Sequence, residues 1–146
     1  MFNKLALCKK LGRYKVSAKE DRTYDGIVFD SKWEANTYKL LQTHKKPNVY
    51  IHKQVEFLLQ PKFKDAEGKS IREINYIADF VLSEKDCLEP NTLNSGDVVI
   101  DSKGHLTDIF KLKNKLFIYK YNTVIHQVKR PSDVIDTLNK FNYCNS

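Results

Sequence analysis

Cysteine is scarce in this chain, and its placement excludes two classes at once. Cys8, Cys87 and Cys144 are three in number and far apart, which fits neither a disulfide framework nor a zinc knuckle. A reducing, cytoplasmic setting is the expectation. Long apolar runs are missing too: no stretch approaches the roughly 20 residues of a membrane span. The apolar part of residues 1–10 is too short for a secretion signal. Glycine and proline number only 5 and 4; no low-complexity tract and no internal repeat is present. What remains is ordinary globular material, 146 residues with 41% apolar and 12% aromatic content. That is one domain's worth of chain, long enough to bury a core.

Acids are absent from residues 1–19, which hold six basic groups, and residues 103–130 hold seven basic groups against Asp108 alone. Residues 20–102 carry 11 basic and 15 acidic groups. The net charge of +7 therefore sits in two stretches flanking an acidic centre. Such stretches suit a polyanion, because each neutralised phosphate releases counterions. Solvated lysines on a basic soluble protein would give the same composition.

Periodicity predicts a helix over roughly residues 31–45, capped by Asp30 or Ser31 and ended by Lys45-Lys46-Pro47. Strands are expected over 55–60, about 71–82, 98–103 and 124–128, with a turn over 65–69 and a long loop over 83–96. Helices are expected over 106–120 and from Pro131 to Phe141. Helix, three strands, helix, strand, helix is an α/β order with a mixed sheet and a C-terminal helix. Residues 1–23 read as a basic N-terminal arm and 24–146 as a single domain.

Three acid-x-Lys tripeptides occur, Asp30-Ser31-Lys32, Glu67-Gly68-Lys69 and Asp101-Ser102-Lys103. About three are expected by chance from 18 acids and 21 lysines, so context has to separate them. The first lies at a helix start, where capping accounts for it, and the second lies in a turn. Only Asp101 and Lys103 are expected on a strand, where alternate residues share a face. Asp79 joins them from the preceding strand, within Ile77-Ala78-Asp79-Phe80-Val81, an acid among apolar neighbours. Two carboxylates make a hard-oxygen site suited to Mg²⁺ or Mn²⁺. The plainer account is an Asp79–Lys103 ion pair, although buried pairs are weak stabilisers.

Glu34 on a first helix, Asp79 on a second strand and Asp101-x-Lys103 on a third are similar to the PD-(D/E)XK nuclease superfamily. The chain resembles small phage-encoded endonuclease-like proteins, and is similar also to Holliday-junction resolvases and TnsA-type nucleases that cleave transposon ends. The matching text is Asp25 to Ala35, Gln54, Tyr76 to Phe80, Val98 to Gly104, and Thr107 with Lys111-Leu112-Lys113. It covers roughly residues 24–128. Ala78 replaces the proline that names the superfamily, and Ile100 stands where many relatives carry another acid. The long gap from Asp79 to Asp101 implies an insertion over 83–96 beside the site.

The resemblance implies a restriction-endonuclease-like αβββαβ core and a Mg²⁺-dependent endodeoxyribonuclease, at work in phage recombination or DNA processing in the host cytoplasm. Glu34, Asp79, Asp101 and Lys103 would be catalytic, and Asp79, Asp101, Glu34 and Ser102 (through its carbonyl oxygen) would hold the metal. Lys103 would orient water or stabilise charge on the phosphorus. DNA would be the partner, with Lys9, Lys10, Arg13, Lys15, His105, Thr107, Lys111, Lys113 and Lys115 along it, and a homodimer would supply two sites. No separate recognition domain is visible, which favours structure-selective cleavage of junctions or branched DNA. The alternative is a nuclease-fold DNA-binding protein that cuts weakly or not at all.

Overall fold

Helix starts follow most directly from the local sequence. In the computed structural model, which describes residues 16–103 and 105–146, the Ser31 hydroxyl accepts the Glu34 N–H at 3.0 Å and opens α1 (Lys32–His44). Before it lies a two-residue hairpin, β1 (Thr23–Tyr24) and β2 (Ile27–Val28). Its tip, Asp25-Gly26, has φ of 53° and 74°, the twist a tight hairpin needs. β3 (Tyr50–Gln60) follows α1, and a second small hairpin joins β4 (Phe63–Lys64) to β5 (Ser70–Ile71). Its turn is closed by Asp65 Oδ1, which accepts the N–H groups of Glu67 and Lys69. Then come β6 (Ile74–Ser83), β7 (Val98–Asp101), α2 (Asp108–Tyr121), β8 (Ile125–Gln127) and α3 (Pro131–Lys140). Thr107 caps α2, its hydroxyl accepting the Phe110 N–H at 3.1 Å, and Pro131 opens α3 at a position where a missing N–H costs nothing.

The four main strands form one mixed sheet in the order β3-β6-β7-β8, antiparallel except for the parallel β7–β8 pair. Parallel neighbours need a crossover, and α2 supplies it. The α/β order expected from the sequence is therefore present, with α1, β3, β6, β7, α2 and β8 as an αβββαβ succession followed by α3. α1 and α3 cover one face, where Tyr38, Leu41, Val134 and Leu138 pack on Phe80, Leu82, Val98 and Ile100. α2 covers the other, with Phe110 and Phe117 against Phe57, Tyr76, Val81 and Val99. Phe117 meets Phe57 and Tyr76 edge-on at 5.2 and 5.4 Å. Burying one such ring contributes about 1.5–3 kcal/mol.

β3 and β6 exchange faces partway along. Val55, Phe57 and Leu59 pack on the α2 side, whereas Val49 and Ile51 pack on the α1 side. Tyr76 and Ala78 likewise face α2, whereas Phe80 and Leu82 face α1. The exchange falls at Gln54, whose φ is 52°. Lys53 pairs with Phe80 and Val55 with Ala78, and the rung between them, Gln54 opposite Asp79, is skipped. A left-handed non-glycine residue inside a strand costs about 1–3 kcal/mol.

Three expectations change. β3 begins at Tyr50, five residues before the expected start at Val55, because the kink at Gln54 interrupts the alternation without ending the strand. β7 stops at Asp101, so Lys103 shares no strand face with it. The loop after Ser83 joins β6 to β7 at the end away from Asp101, and its Leu88 and Leu93 pack on the α2-side core; it does not flank the acidic residues.

Candidate functional site

β7 and β8 run side by side in the same direction, with Asp101 opposite Gln127 and Val128 N–H bonded to the Asp101 carbonyl at 3.0 Å. The carboxyl ends of parallel strands are where α/β sheets collect ligands. Asp101 is the last residue of β7 and is fully buried. Its Oδ2 accepts the Tyr76 hydroxyl at 3.0 Å and lies 3.6 Å from Lys103 Nζ, and its Oδ1 accepts the Lys103 N–H at 3.1 Å. That last bond is an Asx turn, and it is the turn, not strand alternation, that returns Lys103 to its acid. The Lys103 side chain is half exposed, with its ammonium 5.5 Å from the centre of the Phe110 ring.

Asp79 sits at the skipped rung, half-buried. Its Oδ2 accepts both the backbone N–H and the hydroxyl of Ser102, each at 2.7 Å. Its neighbour is thus Ser102, and Lys103 pairs with Asp101 in place of the alternative Asp79–Lys103 ion pair.

Glu34 is buried in the first turn of α1. One oxygen accepts the Asp30 N–H at 3.3 Å and the other the Gln54 side-chain amide at 2.8 Å. The kink in β3 therefore presents a side chain to α1. Burial, then the charges of Asp79 and Asp30, push the Glu34 carboxyl up to about 7 against the amide and N–H bonds that oppose it. Burial and the charge of Asp79 also raise Asp101, with Lys103 and Tyr76 opposing. Burial and the Asp101 charge hold the Tyr76 phenol well above its ordinary value, so it remains a donor.

Asp30, Glu34, Asp79, Ser102, Lys103 and Lys129 line one cavity of about 440 Å³. The Trp33 indole forms part of the same wall, tied to the Val128 carbonyl at 2.9 Å. Glu34, Asp79 and Lys103, three of the four expected catalytic residues, therefore line the cavity; Asp101, fully buried, does not line it and joins them through its pairing with Lys103. Gln54, Tyr76 and Lys129 join them without having been singled out as site residues. The parallel pairing of β8 with β7 carries the signal for Lys129, since whatever follows β8 must arrive beside whatever follows β7. Among the described residues no three His, Cys, Asp or Glu side chains form a ready-made metal cage. The donor set still fits a hard divalent cation: all oxygens, with Asp79 close enough to raise the proton affinity of both Glu34 and Asp101, and the Lys103 ammonium beside Asp101.

The expected DNA contacts divide. Lys9, Lys10, Arg13 and Lys15 lie outside the described residues. His105 is exposed just past Lys103, and Thr107 is exposed and serves as the cap of α2. Lys113 is half-buried and lines a second cavity that also contains Thr107 and Lys103. Lys111 and Lys115 are exposed, Lys111 pairing with Asp108 at 3.5 Å. Helical geometry sets residues four apart on one side and residues two apart on opposite sides, so the three lysines of α2 do not form one track.

Among the described residues no helix is long and apolar enough to cross a membrane. No curated protein and no solved structure gives a significant match to the chain. A family profile does match, over residues 13–132, under the description "Protein of unknown function (DUF1064)". That span holds α1 and every strand that carries the cavity's lining residues, and the chain belongs to the DUF1064 family.

Proposed function

We propose that the protein is a metal-dependent DNA endonuclease of the PD-(D/E)XK type, hydrolysing phosphodiester bonds. One observation carries the reading: Asp79, Asp101, Ser102 and Lys103, with Glu34 from a distant helix, converge at the carboxyl end of the parallel strand pair. Asp79, Asp101, Glu34 and the Ser102 carbonyl would hold Mg²⁺ or Mn²⁺, which supplies polarisation of a phosphoryl oxygen and a more acidic bound water.

The chain's own residues do the rest. Asp101 holds the Lys103 ammonium at 3.6 Å while leaving half the side chain exposed, so a positive charge faces whatever enters the cavity. Developing negative charge on a phosphoryl group is stabilised there. Glu34, fixed by the Asp30 N–H and the Gln54 side-chain amide, sets its carboxyl in the wall of the cavity that Asp79 also lines. Lys129 adds a second cation to the lining of the cavity, where a phosphate flanking the reacting one would lie. DNA as the partner, structure-selective cleavage in phage recombination or DNA processing, a homodimer and a host cytoplasmic location belong to the same proposal.

A second reading, a DNA-binding protein that kept this fold and cuts poorly, draws on one specific feature. Asp79 Oδ2 is already occupied by two short bonds from Ser102, and Ile100 supplies no further acid. The test offers supercoiled plasmid, linear duplex and four-way junction with Mg²⁺ to wild type and Lys103→Ala. Endonuclease activity requires wild type to cut at least one, with the variant slower by about 10²-fold or more. DNA binding without cutting would establish the second reading.

A further inference from the structure

Beyond the carboxylate cavity, past Lys103, lies a second one of about 280 Å³ with a different chemistry. Its walls include Ile77 and Ile109, which are 48% and 70% exposed, together with Phe110. Asn75 and Lys113 supply polar groups. The Asn75 amide donates to Glu56 at 2.8 Å, which leaves its carbonyl oxygen as an acceptor, and Lys113 supplies a donor. Ile77 is open because β7 is short: it pairs with β6 only from Phe80 to Leu82, so the Ile74–Asp79 edge of β6 has no strand beside it.

Apolar faces with a few polar groups at the rim are what binds a flat heteroaromatic ring. The volume lies just under the roughly 300–1,000 Å³ of small-ligand pockets, right for a single base and too small for a base pair. Lys103 lines both cavities, so a phosphate at its ammonium would place a neighbouring base at the Ile77–Ile109 opening. We infer that this cavity takes one unstacked nucleobase of the strand whose phosphate lies at Lys103. The inference rests on the proposed reading that the Lys103 site receives DNA, and deepens it: a base stacked in a duplex cannot enter, so bulges, flaps and junctions become the preferred substrates.

The experiment measures binding with EDTA present, so that no strand is cut. The probes are a paired duplex and the same duplex carrying a single-nucleotide bulge of 2-aminopurine. Wild type is expected to favour the bulge by about 10-fold or more, with the emission of 2-aminopurine changing on binding. Ile77→Ser and Ile109→Ser should each lose most of that preference while keeping their affinity for the paired duplex. Leu112→Ser, exposed on the same helix outside the cavity, should behave as wild type. Equal affinities, an unchanged emission, unaffected isoleucine variants, or an equal loss in Leu112→Ser would each overturn the inference. Cleavage of plasmid with no emission response removes the base cavity and leaves the nuclease reading standing. A normal emission response without cleavage does the reverse, and binding to neither probe overturns the inference alone, the nuclease reading being decided by cleavage with Mg²⁺.

Discussion

Ser102 gives both of its donors to one oxygen of Asp79: the backbone N–H and the hydroxyl each reach Oδ2 at 2.7 Å. The contact clamps the residue after β7 to the kinked rung of β6. Hydrogen bonds to a charged acceptor are stronger than neutral ones, so Ser102→Ala is expected to lower stability by about 1–2 kcal/mol. Because the lost hydroxyl also frees a lone pair on the acid, Mn²⁺ binding should not weaken. Thermal unfolding and calorimetric titration of the same variant read the two effects, and a variant that loses Mn²⁺ affinity would show the hydroxyl to be part of the cation's own environment.

Tyr76 supports the other acid. Removing its hydroxyl in Tyr76→Phe leaves a buried oxygen of Asp101 with one donor fewer, at a cost of about 1.5–3 kcal/mol near neutral pH. The Asp101 carboxyl, already raised by burial and by Asp79, should rise further. Stability linked to a raised carboxyl is retained at low pH and lost as pH climbs through its folded value. The gap between variant and wild type should therefore shrink on acidification. Urea melts across a pH series check this, and a gap independent of pH would mean that Tyr76 acts only through packing.

Glu34 makes a second pH prediction. Its contribution is fully present below the unfolded value of 4.5 and is lost as pH rises through about 7. Glu34→Gln removes the dependence, so relative to wild type the variant should gain about 1–2 kcal/mol between about pH 5 and about pH 8. Its cleavage activity should fall over the same range. Paired denaturation curves at the two pH values decide it, since a constant difference is incompatible with a carboxyl that titrates near 7.

Much of the architecture was legible in the sequence. Ser31 and Pro131 mark helix starts through local chemistry, and Ser31 caps α1 and Pro131 opens α3 where they stand; Thr107, read only as a DNA contact, is the cap of α2. Asp79 and Asp101 stood out as acids among apolar neighbours and Lys103 by its acid-x-Lys spacing, whereas Glu34 entered only through the family resemblance. The manner of their meeting was not legible. Strand alternation puts Ile77, Asp79 and Val81 on one face, but the positive φ of Gln54 breaks the alternation, and glutamine carries no local preference that announces such a kink. Tyr76 and Lys129 were hidden for another reason: their roles depend on pairings between segments far apart in sequence.

The kink itself is open to a clean comparison. Gln54→Ala and Gln54→Gly both delete the amide that reaches Glu34, yet only glycine adopts φ of 52° without a steric penalty. Gln54→Gly should be more stable than Gln54→Ala by about 1 kcal/mol. Equal stabilities in chemical denaturation would count against strain at this position.

The exchange of faces at Gln54 and Asp79 has a consequence for how the molecule comes apart. The first half of β3 and the last half of β6 serve the core under α1 and α3, and their other halves serve the core under α2. Cooperative opening should then divide the sheet across its strands. Amide exchange along β3 should step at residue 54, with Tyr50–Lys53 following α1 and Val55–Gln60 following α2. The site lies on that seam, so loosening of either layer would be felt there first.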